Sequence, residues 1–145
     1  MALSDYNIGR IKSDLKYKTI FNGSITYNGT PCWIYIGSPD TIGRGRIQIN
    51  HKKYLVSRLS AHIYLGLDID NDKILACHHC DNPRCWNPDH LFIGNNHDNS
   101  VDMVSKRRDR NSRKTHCIRG HNYDGVDNRG KRYCLTCDRE RRKTV

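Results

Sequence analysis

The chain has 145 residues, the size of one ordinary domain, yet its 36% hydrophobic content and mean hydropathy of -0.82 leave little apolar surface to bury, so something besides a large core must help hold it. No apolar run is long enough to cross a bilayer, and Met1 to Lys18 contains no apolar stretch of the kind a signal peptide needs, so the expectation is a soluble intracellular protein whose seven cysteines stay reduced. The net charge of +10 is concentrated at one end: Lys106 to Val145 carries 14 Lys/Arg against 5 Asp/Glu, net +9, and the preceding residues 11 against 10, net +1. Such a block attracts nucleic acid by releasing condensed counterions, with a solvated arm or an anionic membrane surface as the other readings.

Taken in chain order, residues 1–30 are polar and punctuated by Asn22-Gly23 and Asn28-Gly29, which suggests a weakly ordered lead-in with one short helical possibility around Asp5 to Lys16. Cys32 to Ile36 is aromatic and β-branched and predicts a strand; after a turn at Ser38 to Gly43, the alternating Arg44 to Ile49 predicts a second, and the two suggest a small antiparallel sheet. Leu55, Leu59, Ile63 and Leu67 recur at helical spacing, predicting an amphipathic helix that Ser57 or its neighbours could cap at the start and that closes on Gly66. Ile74 to His78 and Leu91 to Ile93 are short strands around a Cys/His loop, and Asn95 to Lys106 is a helix with Asn99 in its first turns. Beyond a charged connector at Lys106 to Lys114 comes a second cysteine cluster, then a basic tail from Asp138 to Lys143 that suits a helix.

The loop carries Cys80, Cys85 and His90 in a C-x4-C-x4-H spacing, with Asn82-Pro83 and Asn87-Pro88 to fold the chain back. Structural zinc prefers four tetrahedral N/S ligands, and Cys32 is the best candidate for the fourth, against its alternative as a small buried hydrophobe. Cys117, His121, Cys134 and Cys137 form a second four-ligand set of zinc-finger type. Two zinc ions, each contributing on the order of 10 kcal/mol to folding, would compensate for the thin core. Cys77 remains as a buried strand residue. His78 and Asn99 bracket the first set as a possible catalytic pair; the alternatives are a core histidine, a helix-capping asparagine, or His79 as the reactive imidazole.

From Cys32 to Arg108, about half the chain, the run His78, Cys80, Cys85, His90 and Asn99 resembles the HNH endonucleases of phages and mobile introns and is similar in spacing to the His-Cys box homing endonucleases, both of the His-Me finger or ββα-metal type. The resemblance implies an α+β fold with a zinc-stabilised ββα-metal motif and a small antiparallel sheet, divided as a lead-in (1–30), a nuclease domain (31–111) and a basic C-terminal zinc module (112–145). It also implies that His78 is the general base, that Asn99 holds one catalytic Mg2+ or Mn2+, and that Cys32, Cys80, Cys85 and His90 hold zinc. The substrate would be double-stranded DNA. Cys77 stands where many relatives carry an acidic residue, which leans the site toward the single-Asn arrangement of the His-Cys box type.

Arg44 and Arg46 on the second strand, Arg58 on the helix, and Lys131, Arg132 and Arg139 near the second cluster are candidates for DNA contacts. One His78/Asn99 pair per chain cuts one strand at a time, so a double-strand break takes two visits or two copies, and a homodimer is a further expectation. The alternative from another class is a non-catalytic zinc-finger DNA-binding protein. An RNA-directed protein is weaker, for want of a recognisable aromatic signature.

Overall fold

A computed structural model describes residues 3–111 and 113–143. The chain is a small α+β protein whose strands, among the described residues, pair as short antiparallel two-stranded sheets, and it divides into two compact units, Met1–Ser100 and Val101–Val145.

In the first unit, α1 (Asp5–Tyr17) begins where the Ser4 side chain accepts the Asn7 N–H, and its Ile11 and Leu15, one turn apart, are fully buried. Where polarity suggests a weakly ordered lead-in over 1–30, the described residues from Asp5 onward form a helix and a strand, because two apolar residues on one helical face suffice to dock α1 in the core. The same segment supplies β1 (Thr19–Tyr27), which pairs with β2 (Thr30–Tyr35). Asn28 and Gly29, both at positive φ, form the two-residue turn that the right-handed strand twist favours. Asn22 instead marks a register irregularity in β1.

The expected pairing between β2 and the following strand does not occur. β3 (Arg46–Ile49) pairs with β4 (Lys52–Leu55) across Asn50 and His51, again both at positive φ. A two-residue loop closes at less entropic cost than the ten-residue connection from β2, so each strand takes its nearest partner. That connection is itself held by Asp40, whose carboxylate accepts the N–H groups of Ile42 and Arg44.

α2 (Val56–Leu65) ends on Gly66 in the left-handed region, as its sequence suggests. Its start differs from expectation: Leu55 is the N-cap with no side-chain hydrogen bond, the Val56 N–H bonds to Gly45 O at 3.0 Å, and Ser57 is buried inside the helix. Val56 and Leu59 join Ile11, Leu15, Tyr35, Ile47, Ile49, Ile69 and Trp86 in the main core, and Ala61, Leu67 and Leu91 form a smaller one. β5 (Leu75–His78) pairs with β6 (Leu91–Gly94), and α3 (Asn96–Ser105) follows directly. Packing of α2 against β5 and β6 gives the Cys/His loop a fixed base.

The second unit has a hairpin of β7 (Gly125–Val126) and β8 (Arg132–Tyr133), then α4 (Leu135–Lys143). Among its described residues the buried one is Cys134. An apolar core does not hold this unit together. Among the described residues no helix is long and apolar enough to cross a membrane.

Candidate metal centres

β2 lies between β1 and the segment 84–86, to which it is joined by Tyr35 N–H to Arg84 O (3.0 Å) and Trp86 N–H to Trp33 O (3.1 Å), with Ile34 bridged to Cys85. That arrangement sets Cys32 beside Cys85. The loop turns at Asn82, whose side chain accepts the Arg84 N–H and whose carbonyl accepts the Cys85 N–H. Asn87, fully buried, accepts the Asp89 N–H and donates to Pro31 O, starting the 3-10 turn Pro88–His90 that presents His90.

The ligand atoms of Cys32, Cys80, Cys85 and His90 lie within 4.8 Å of one another. The Nδ1 of His90 is 3.4 Å from Cys32 Sγ and 3.5 Å from Cys85 Sγ. Tetrahedral zinc with bonds of about 2.3 Å to sulfur and about 2.0 Å to nitrogen holds its ligand atoms roughly 3.5 Å apart. The donor set and its spacing fit zinc.

Packed together, the three thiols work against one another. A hydrogen bond from Cys85 brings Cys80 down to about 4, while burial, with the neighbouring Cys80, pushes Cys32 up to about 11, and sharing a proton with Cys80 pushes Cys85 up. One thiolate is favoured and the others are kept protonated, the state that a divalent cation would relieve.

In the second unit, Cys117 and His121 are joined by Cys117 N–H to His121 O (2.8 Å), with Gly120 at φ +83° closing the knuckle. Cys134 and Cys137 flank the start of α4, which Asp124 caps by accepting the Leu135 N–H. Cys117 Sγ lies 3.6 Å from Cys137 Sγ, and His121 Nδ1 lies 3.7 Å from Cys117, 3.4 Å from Cys137 and 3.8 Å from Cys134. This set also fits zinc. None of the seven cysteines forms a disulfide, and Cys77 is buried outside both clusters.

His78 ends β5 opposite Leu91, and its Nε2 donates to Cys85 O at 2.9 Å. In the neutral ring that bond puts the lone pair on Nδ1. Burial lowers the pKa of His78, partly offset by the Cys85 carbonyl. His79 is stacked between Tyr27 and Phe92, each 4.6 Å away between ring centres. Asn99 is exposed on α3. The cap there is Asn95, whose side chain accepts the N–H groups of His97 and Asp98 while Asp98 accepts its own N–H, so Asn99 has no capping duty.

The candidate cationic residues fall into two kinds. Arg44 and Arg46 converge on Asp40, whose side chain is 1% exposed, at 2.7 and 3.3 Å. Burial opposes ionisation of Asp40, but the Arg44 backbone and guanidinium outweigh it and hold the carboxyl below its ordinary value. Arg58 donates to the carbonyls of Asp68, Ile69, Asn71 and Ile74, and so clamps the loop that feeds β5. Arg132 lies over the Tyr123 ring at 5.0 Å and bonds to Lys114 O. Lys131 and Arg139 are exposed. Thr30 and Asn87 are supporting residues that the cysteine spacing gave no sign of, although the Asn-Pro pair marked a turn at Asn87.

The fold and its two Cys/His clusters thus define a small α+β protein able to hold two zinc ions. No family model matches the chain. It is 33% identical over 95 residues to Protein 2.8 of Escherichia phage T7, covering 66% of this chain and 63% of that protein. Over 78 residues it is 40% identical to Protein 7.7 of the same phage, covering 53% of this chain and 58% of the relative. The chain spans less than two thirds of the length of these curated relatives.

Proposed function

We propose that the chain is a metal-dependent DNA endonuclease of the HNH, His-Me finger type, with a zinc-stapled ββα active site and a basic zinc module that holds duplex DNA. The observation that carries this reading is the hydrogen bond from His78 Nε2 to Cys85 O, which ties the imidazole to the metal knuckle and gives Nδ1 the lone pair a general base needs. The succession β5, Cys/His loop, β6, α3 supports it, as do relatives encoded by a phage.

In this mechanism Nδ1 of His78 takes the proton from the water that attacks phosphorus in line. Asn99 would offer its amide oxygen to Mg2+ or Mn2+, which when bound would stabilise negative charge on the phosphate and the departing oxygen. Cys32, Cys80, Cys85 and His90 would hold one zinc, and Cys117, His121, Cys134 and Cys137 the other. Lys131 and Arg139 would contact the duplex backbone. One His78 cuts one strand per visit, so a double-strand break takes two visits or a homodimer. The setting is the reducing cytoplasm of a phage-infected bacterium.

A second reading, a non-catalytic zinc-dependent DNA-binding protein, draws on the same hydrogen bond, since a structural histidine also ties down a loop in this way. Supercoiled plasmid with Mg2+ separates the two. Wild-type protein is expected to give nicked circles first and linear DNA later; His78→Ala is expected to be inactive with two zinc ions retained, and His79→Ala to cut. Asn99→Ala should be partly restored by more Mg2+ or by Mn2+. A wild-type protein that binds plasmid but leaves it intact establishes the second reading.

A further inference from the structure

The first unit contains a cleft of about 660 Å3, away from the Cys/His cluster, between α1 and the β3–β4 hairpin. Arg10 and Tyr17 stand on the α1 wall, seven residues and hence two turns apart on one helical face. On the facing wall Gln48 and Lys53 are register partners, and Arg46, two residues before Gln48, shares their face. Ile11, Ile47 and Ile49 give the cleft an apolar floor.

Its charges are unequally matched. Lys18 is neutralised by Asp14 at 2.6 Å and Arg46 by Asp40 at 3.3 Å, whereas Arg10 and Lys53, both exposed on opposite walls, have no ion pair among the described residues. Tyr17 is 82% exposed and presents its ring at the cleft. Two uncompensated cations, an exposed aromatic face and an apolar floor together match a ligand that alternates anionic groups with flat apolar rings. Single-stranded nucleic acid has that alternation, and a duplex does not offer its bases for stacking.

We propose that this cleft binds a short single-stranded nucleic-acid segment, with phosphates on Arg10 and Lys53 and a base stacked on Tyr17. The site goes beyond the nuclease reading and stands without it, because it uses none of the residues assigned to hydrolysis.

The test is binding of fluorescein-labelled octathymidylate to the zinc-loaded full-length chain without Mg2+, so that cleavage plays no part and a failed plasmid assay leaves the result readable. Arg10→Glu and Lys53→Glu are each expected to weaken binding about tenfold and to make the salt slope shallower by about 0.7, while Lys73→Glu, the same charge change on an exposed loop, stays within about twofold. Tyr17→Ala should lose about tenfold for the oligonucleotide and nothing for tripolyphosphate as competitor. All four positions are exposed, so the variants should fold. The proposal is overturned if Arg10→Glu and Lys53→Glu fall no further than Lys73→Glu, if Tyr17→Ala has no effect or weakens both ligands equally, or if octaglutamate competes as well as unlabelled octathymidylate.

Discussion

His90 is aimed by Thr30. Its Nε2 lies 2.9 Å from the Thr30 hydroxyl oxygen and 3.1 Å from the Thr30 carbonyl, so the ring carries its proton on that nitrogen and turns Nδ1 toward Cys32 and Cys85. The Thr30 hydroxyl in turn donates to Tyr27 O, which locks its lone pairs toward the histidine. A ligand oriented in this way loses no rotamer freedom when a metal arrives.

Thr30→Val should therefore weaken the first zinc site about tenfold, with Thr30→Ser close to wild type. Competition against a chromophoric chelator reads both sites, and the second should be unaffected. Equal weakening of both sites, or of neither, would show that the hydroxyl does not orient His90.

The two units should answer chelation differently. The first has an apolar core that includes Ile11, Leu15, Val56 and Leu59, while the second buries only Cys134 among its described residues. Removing zinc is expected to expose the amides of 113–143 to rapid hydrogen exchange while α1 and α2 remain protected. Elemental analysis should find two zinc ions, one after Cys117→Ser, and two after Cys77→Ser.

Arg58 is expected to matter for stability. Its guanidinium is shared among four carbonyls of the 68–74 loop, and Arg58→Ala removes that shared donor while Asp68 O and Asn71 O keep the N–H groups of Asn71 and Ile74, at a cost of about 3 kcal/mol. Arg58→Lys should recover little, since a single ammonium cannot span that fork. Denaturant midpoints measure both.

Arg132 and Lys131 should differ although they are neighbours. Lys131→Ala and Arg139→Ala, both exposed, should each reduce the salt slope for duplex binding by about 0.9 without changing the zinc affinity. Arg132→Ala should also loosen the second unit, because it removes the contact with Tyr123 and the bond to Lys114 O. An unchanged slope for Lys131→Ala and Arg139→Ala would mean that this face does not meet DNA.

Gly45 is closely packed: a Cβ there would come within 2.8 Å of the Tyr35 ring and 2.9 Å of Val56. Gly45→Ala is expected to cost about 1–3 kcal/mol through overpacking. A midpoint equal to wild type would show that Tyr35 can move aside, giving up its hydrogen bond to Asp14 at 2.9 Å.

Seven of the eight ligands could be read from the chain alone, because a metal knuckle is local: Cys80 to His90 and Cys117 to Cys137 are close enough in sequence that spacing and turn residues determine which atoms can meet, whereas Cys32 was a candidate that only the contact of β2 with the 84–86 segment brought beside Cys85. The same holds for α2 and its Gly66 stop, and for the strand, loop, strand, helix order after Ile74. What depended on distant contacts could not be read. Polar α1 became part of the core through Ile11 and Leu15, and two-residue turns at Asn28-Gly29 and Asn50-His51 decided a strand pairing other than the one that alternation suggested. Only the tertiary structure assigned Thr30 to His90, sixty positions away, and directed Arg44 and Arg46 to Asp40 and Arg58 to a loop. Residue type gives an arginine its charge, but whether that charge faces a carboxylate, a carbonyl or water is decided by what the folded chain brings within about 3 Å of it.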